Sequence, residues 1–320
     1  MASPPRVLIC DKLSQRGVEI LTQSGFEVDD RSGISAKELL AIVGDYNAVI
    51  VRSRTKLTKE AIDKAKNLRI IGRAGAGLDN IDLEAADANE IEVLNTREAA
   101  TNAVAELAIG LMFSLARKIH FGDASIRRGE WNKDALMGFE LNGKTLGVIG
   151  LGGIGTRTAR IAKGIGMKIV VSDKFDISKE VLAELESTQL DLDELLRVSD
   201  IVTPHVPLDA TTRHMIDGRR LSLMKRSAFL VNTSRGAVVD EEALYHALSS
   251  GGIAGAALDV FEAEPPLESK ITSLQNVVLT PHIGAQTFEA QELAASRLAE
   301  KIVQAYPKHK ISLSRSNRGG

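Results

Sequence analysis

Leu146-Gly147-Val148-Ile149-Gly150-Leu151-Gly152-Gly153-Ile154-Gly155 decides the fold of this 320-residue chain. A short apolar strand runs into G-x-G-x-x-G, and Thr156–Ile165 continues as a helix. Each glycine has its own task. Gly150 makes the tight turn, Gly152 lets the backbone approach a pyrophosphate, and Gly155 lets the helix pack close to the sheet. The free N–H groups at the helix start, Gly153 and Ile154 among them, then face phosphate charge. Asp173 follows 18 residues after Gly155, at the end of Val170-Val171-Ser172. A carboxylate there accepts the ribose hydroxyls of a dinucleotide and repels the extra phosphate of NADP. The expected cofactor is NAD, although Lys174, directly after Asp173, works the other way.

Outward from this turn, short apolar runs alternate with amphipathic stretches. Upstream, Arg6–Cys10, Phe26–Val28, Ala48–Val51, Arg69–Gly72 and Ile91–Leu94 read as strands, with helices at Gln15–Ser24, Ala36–Val43 and Lys59–Ala65. Downstream, Thr145–Ile149, Lys168–Ser172, Ile201–Pro204, Ala228–Asn232, Ala256–Val260 and Val277–Leu279 supply six strands for one dinucleotide-binding domain. Longer helices are expected at Asn102–Ile119 and Phe288–Tyr306. The second lies too near the chain end to found a domain, so it is returned to the first one. The predicted fold class is α/β with two doubly wound parallel-sheet domains. A Rossmann dinucleotide-binding domain (residues 102–286) is inserted in a flavodoxin-like substrate domain (residues 1–101 and 287–320). The tail Lys308–Gly320 has little apolar content and is expected to fray.

Composition narrows the function classes. Hydrophobic residues make up 44% and charged residues 26%, as in ordinary globular proteins. Forty Lys+Arg against forty-two Asp+Glu leave a formal charge of −2, which argues against a nucleic-acid partner. The single cysteine, Cys10, ends an apolar run and reads as a core residue; it excludes an internal disulfide and a Cys-based metal cluster, and no metal site is expected. Met1-Ala2-Ser3-Pro4-Pro5 lacks the apolar stretch of a signal peptide, and no run of 18 apolar residues marks a membrane span. A cytoplasmic protein without a membrane partner is expected.

Three strand ends downstream of the fingerprint carry unusual polar residues: Val231-Asn232-Thr233-Ser234-Arg235-Gly236, Ala257-Leu258-Asp259-Val260-Phe261-Glu262-Ala263-Glu264-Pro265-Pro266, and Leu279-Thr280-Pro281-His282-Ile283-Gly284. Ligands of open α/β sheets bind outside the carboxyl ends of the strands. Oxidation of a 2-hydroxy acid by hydride transfer requires a cation for the carboxylate and a base for the hydroxyl proton. Arg235 offers a planar, two-pronged donor, His282 offers an imidazole nitrogen to take the proton, and Glu264 can orient it. Taken singly, each has a plainer reading: an arginine capping carbonyls, a structural histidine beside proline, a solvated turn glutamate. Together and in this order they point to catalysis. His205 follows a strand and is assigned to the adenine pocket; His120, His214, His246 and His309 stand in no comparable context.

At these motifs the chain resembles the D-isomer-specific 2-hydroxyacid dehydrogenase family over nearly all of residues 6–305. The resemblance implies a discontinuous substrate domain and a homodimer or higher homo-oligomer built on the nucleotide-binding domains. It implies Arg235 on the substrate carboxylate, His282 as acid and base with Glu264 as its partner, and Thr233 and Asp259 at the nicotinamide end of NAD. Gly153 stands where many relatives carry a basic residue near the pyrophosphate, so that contact is lost or passes to backbone donors. Arg127–Met137, with Trp131 and Lys133, resembles a family loop near the dimer interface.

The substrate is sought upstream. Val51-Arg52-Ser53-Arg54-Thr55 and Ile71-Gly72-Arg73-Ala74-Gly75-Ala76-Gly77 both follow strands. Backbone N–H groups of Gly75, Ala76 and Gly77 suit a carboxylate, and Asn102 adds a side-chain donor. This part resembles the D-3-phosphoglycerate dehydrogenase branch, in which arginines matching Arg52 and Arg73 approach the substrate phosphate, with Ser53 beside them. The alternative for both is a surface or interdomain salt bridge. The expected reaction is oxidation of 3-phosphoglycerate to 3-phosphohydroxypyruvate, the entry to serine synthesis. Its competitors are glyoxylate or hydroxypyruvate reduction and, in another class, an NAD-sensing corepressor-like binding protein. Long forms of the branch carry C-terminal regulatory domains; inhibition by serine is not expected from this sequence.

Overall fold

The computed structural model describes residues 3–316, and side chains through residue 306. Contacts divide it into Met1–Ala100 with Ala285–Gly320, here the first unit, and Thr101–Gly284, the second.

The first unit is built on β1 (Arg6–Ile9), β2 (Glu27–Asp30), β3 (Ala48–Val51), β4 (Ile70–Arg73) and β5 (Glu92–Asn95), in the order β2-β1-β3-β4-β5. This is the flavodoxin-like order. The second unit holds β6 (Thr145–Ile149), β7 (Lys168–Ser172), β8 (Thr188–Gln189), β9 (Ile201–Pro204), β10 (Phe229–Asn232), β11 (Gly255–Leu258) and β12 (Val277–Leu279). Their order is β12-β11-β10-β9-β6-β7-β8, so the winding reverses between β6 and β9 as in dinucleotide-binding sheets. Every strand pairing is parallel. Central strands such as β3 (AVIV) and β11 (GAAL) are buried at every position, because helices cover both faces and no polar alternation is required.

The helix Phe288–Ser316 packs on the helix Gln15–Gln23 and on β4 and β5, within the first unit. Leu298 and Ile302 come so close to Gly72 in β4 that a Cβ there would lie 3.1 Å from each. Lys301 Nζ donates to Asn95 O at 2.7 Å and pairs with Glu98 at 3.0 Å.

Three details depart from expectation. β8 adds a seventh, edge strand; two residues long, it has no apolar run to announce it. The long helix expected over Asn102–Ile119 is two, Thr101–Ala116 and Ile119–Arg127, because Lys118 adopts a left-handed φ of 50°. The last helix continues beyond Tyr306 to Ser316; of the tail expected to fray, residues 317–320 lie outside the description. The stretch Arg97–Ala116 is long and apolar enough to cross a membrane by composition alone, but 56% of its most apolar window is buried in the protein. Its helical part Thr101–Ala116 packs on β10, β11 and β12, which makes it a core helix.

Candidate active site

The turn after β6 has the geometry that a pyrophosphate requires. Gly150 has φ +88°, and a Cβ there would lie 2.9 Å from His205 O. A Cβ on Gly155 would lie 2.0 Å from Gly150 O, so the helix Gly153–Gly164 approaches the strand as only glycine permits. A Cβ on Gly152 would meet nothing within 4 Å, so this side of its backbone is open to a ligand. The first N–H groups of the helix, including Gly153 and Ile154, have no partner within it. Gly153 itself faces Thr101, whose Oγ1 would be 3.5 Å from a Cβ.

Asp173 ends β7 beside this turn. Its Oδ2 accepts the Leu151 N–H at 2.7 Å and its Oδ1 the Phe175 N–H at 3.1 Å. His205 follows β9; its N–H donates to Ile149 O at 2.7 Å and its Nε2 lies 3.1 Å from Thr203 Oγ1. Burial pushes the His205 imidazole down to about 4. Thr233, after β10, is buried with an Oγ1 that has no partner among the described residues. A buried hydroxyl left unpaired costs about 1–3 kcal/mol, and a polar ligand satisfies it. These residues fit a dinucleotide.

Two of the three strand-end segments are held by a buried polar residue. Asn232, 1% exposed, accepts from Ser234 N and Oγ at 3.0 and 2.8 Å and donates to Arg235 O at 2.9 Å, which shapes the turn presenting Arg235. Asp259, also 1% exposed, holds the segment after β12. Its Oδ1 accepts from Thr280 Oγ1 at 2.6 Å and Ile283 N at 2.8 Å, and its Oδ2 from Gly284 N at 2.8 Å. The carboxylate expected at the nicotinamide end therefore also fixes the backbone on both sides of His282. His282 stands there at φ 52°, its N–H on Asp259 O at 2.9 Å.

His282 Nδ1 lies 2.7 Å from Glu264 Oε2. Glu264 Oε1 accepts the Phe261 N–H at 3.3 Å. Partial burial works to raise the Glu264 carboxyl, but the His282 hydrogen bond and charge, the Phe261 N–H and Arg235 together hold it below the ordinary value. The structure thus brings Arg235, Glu264 and His282 into one electrostatic cluster. A histidine bound at Nδ1 by a carboxylate keeps Nε2 for a proton on a ligand.

In the first unit, Arg52 and Ser53 line an open pocket with Lys12, Ser32, Gly33 and Gln286. Arg52 is half-buried, its N–H on Asp11 Oδ2 at 2.6 Å and its guanidinium 3.4 Å from Lys12 O. Arg73 does not line that pocket; its guanidinium lies over the next turn, where a Cβ on Gly75 would meet Arg73 Nη1 at 1.6 Å. The anion loop is narrower than expected, since Gly75 N–H donates to Thr96 Oγ1 at 2.9 Å and Ala74 N–H to Val51 O at 3.0 Å. Ala76 and Gly77 keep N–H groups without an acceptor among the described residues. Asn102 is exposed on the first turn of the helix Thr101–Ala116, in the second unit.

Residues 109–284 match the NAD binding domain of the D-isomer specific 2-hydroxyacid dehydrogenase family. The chain belongs to this family. It is 47% identical over 299 residues to D-3-phosphoglycerate dehydrogenase of Methanocaldococcus jannaschii, covering 93% of this chain and 56% of that protein. It is 44% identical over 301 residues to hydroxypyruvate reductase of Thermotoga maritima, covering 93% of this chain and 97% of that one. The chain thus spans about half the length of the phosphoglycerate dehydrogenases it matches. Among solved structures, a glyoxylate reductase from Paecilomyes thermophila superposes with a TM-score of 0.87 at 31% identity, covering 95% of this chain and 96% of that one.

Two organising residues of this chain carry no motif in the sequence. Asp11 takes the N–H groups of Arg52 and Thr55, Thr55 Oγ1 at 2.7 Å and Arg54 Nε at 3.0 Å, and so sets the whole loop after β3. A carboxylate directly after a buried strand was the available signal. His214, set aside for want of context, places Nε2 3.0 Å from Glu262 Oε1.

Proposed function

We propose that this dehydrogenase oxidises D-3-phosphoglycerate to 3-phosphohydroxypyruvate with NAD. The observation that carries the reading is the 2.7 Å contact between His282 Nδ1 and Glu264 Oε2 beside Arg235, downstream of an intact dinucleotide turn. NAD bound at that turn supplies the hydride acceptor. Arg235 pairs with the substrate carboxylate through two parallel N–H donors and fixes the plane of the reacting carbon. His282 takes the hydroxyl proton on Nε2 as the C2 hydride departs, because Glu264 holds a proton on Nδ1 and stabilises the imidazolium that forms. In the reverse direction the same proton returns to the carbonyl oxygen.

A phosphorylated substrate is supported by the first unit's pocket, where Arg52 and Lys12 gather with the hydroxyls of Ser53 and Ser32. The similarity to phosphoglycerate dehydrogenases points the same way. A second reading, reduction of hydroxypyruvate, is favoured by the relative of that name, whose length is matched almost entirely. Self-association is supported by the exposed apolar side chains of Ile119, Ile126, Trp131 and Met137 in the second unit. Light scattering of the wild type and of Ile126→Asp reads it.

The deciding assay measures NADH formation from 3-phosphoglycerate, D-glycerate, D-lactate and 2-hydroxyglutarate with product trapping, and NADH consumption with hydroxypyruvate. Highest kcat/KM on 3-phosphoglycerate supports the proposal. Preference for hydroxypyruvate moves it to the second reading, and tight NADH binding without any turnover moves it to an NAD-sensing binding protein.

A further inference from the structure

The turn Phe261–Glu264 carries two histidine–carboxylate contacts, and only the one at Glu264 enters the reaction proposed above. The other lies two residues earlier. Glu262 Oε1 accepts the Glu241 N–H at 3.0 Å, and the Glu262 N–H donates to Glu241 Oε2 at 3.1 Å. Glu241 opens the helix Glu241–Ser249 behind the N-cap Asp240, so its N–H is one that the helix leaves without an internal partner. The partial positive charge of that end also favours the Glu262 carboxylate. The second oxygen of Glu241 accepts from Ser269 Oγ, beyond Glu264 in the same loop. Glu241 and Glu262 therefore cap each other, and Ser269 closes the staple from the far side.

Two further segments press on the same point. His214 places its buried Nε2 3.0 Å from Glu262 Oε1, at ion-pair distance but outside hydrogen-bond geometry, and its own N–H donates to Ala237 O at 2.7 Å. Gly236 lies so close that a Cβ on it would stand 1.9 Å from the Phe261 carbonyl carbon and 2.4 Å from Glu262 N. Arg235 precedes that glycine. The segments carrying Arg235, Glu264 and His214 and the helix end at Glu241 thus all meet at Glu262.

We infer that Glu262, clamped by Glu241, is a positioning residue that sets the Glu264 carboxylate against His282. It rests on the reading that Glu264 and His282 carry the proton step. The route is through backbone: Glu264 hangs on the Phe261 N–H, and the Phe261-Glu262 peptide is what the staple holds. A misplacement of about 1 Å at such a pair costs on the order of a hundredfold in rate.

The test is a double-mutant cycle on the full chain with Glu262→Ala, Glu264→Gln and the two combined, using the best substrate of the panel above. Glu262→Ala should lower kcat at least about tenfold, with NADH affinity unchanged. In the Glu264→Gln background the same change should cost no more than about twofold, because the carboxylate charge it positions is already lost. Equal losses in both backgrounds overturn the inference. Glu262→Gln keeps an oxygen for the Glu241 N–H and should restore most of the kcat. Should Glu262→Ala fail to fold, Glu241→Ala removes the other half of the staple and must show the same non-additivity. A readout independent of turnover is the downfield Nδ1 proton of His282 in NMR. Its loss in Glu262→Ala and retention in Glu262→Gln support the positioning role even if no hydroxy acid is oxidised; an unchanged resonance in Glu262→Ala overturns it.

Discussion

Asp173 Oδ2 accepts the Leu151 N–H at 2.7 Å, so the carboxylate ending β7 is tied to the glycine turn that ends β6. With Oδ1 on the Phe175 N–H at 3.1 Å, both carboxylate oxygens are tied to backbone. Each carboxylate oxygen has a second lone pair, so both remain able to accept ribose hydroxyls.

Asp173→Ser should therefore relax cofactor choice as well as weaken binding. Loss of a charge-assisted hydrogen bond is worth about 1.5–3 kcal/mol, or roughly ten- to a hundredfold in NADH affinity. With the like charge gone and Lys174 next in the chain, NADPH affinity should rise. Fluorescence titration with both cofactors checks this; parallel loss of both affinities would mean that Asp173 serves only the turn.

His282→Ala should lower kcat by about a hundred- to ten-thousandfold, the range expected of general acid–base catalysis. NADH affinity should stay near wild type, because the glycine turn and Asp173 are separate from it. Glu264→Gln should lower kcat by less, since an amide still accepts a hydrogen bond but no longer stabilises an imidazolium. The Glu264 carboxyl lies below its ordinary value, so the pair persists through the weakly acidic range and fails only as pH falls through that lowered value. A kcat profile between pH 4 and 9 for the wild type and Glu264→Gln reads this directly.

Much of the site was legible because its residues follow strands in order. Parallel strands put their C-terminal ends on one edge, so Arg235 after β10, the Asp259–Glu264 segment after β11 and His282 after β12 had to be neighbours. What did not follow from the sequence depends on side-chain direction. Nothing in Arg73-Ala74-Gly75 says that the arginine folds over its own turn, or that Thr96 takes the Gly75 N–H. The resemblance places Asp259 at the nicotinamide end of NAD, and nothing in the sequence says that its oxygens also hold the Thr280–Gly284 segment. His214 lacks any motif; it stands at a left-handed φ of 49°, with Nε2 3.0 Å from Glu262 Oε1.

The placement of the two upstream arginines separates them experimentally. Arg52→Ala should raise KM for 3-phosphoglycerate at least about tenfold, the loss of a charge-assisted contact, and leave KM for D-glycerate nearly unchanged. Arg73 lies on its own turn, so Arg73→Ala should lower stability as well as activity. Thermal melts beside the two KM values distinguish the cases. An Arg52→Ala variant that loses both substrates equally would remove phosphate recognition from the pocket.

His205 yields a prediction about stability. Burial pushes its imidazole down to about 4, against roughly 6.5 in an unfolded chain. Above pH 6.5 it is neutral in both states and contributes no pH dependence. Between 6.5 and 4 the unfolded chain binds a proton that the native one refuses, so stability falls as pH falls across that window. The total is at most about 3 kcal/mol, less to the extent that solvent reaches the ring. In His205→Asn this slope should vanish, while carboxylates titrating at lower pH act alike in both proteins. Urea midpoints at pH 7, 6, 5 and 4.5 should therefore drop faster for the wild type than for the variant. Parallel curves would show that the native imidazole accepts its proton at the ordinary pH.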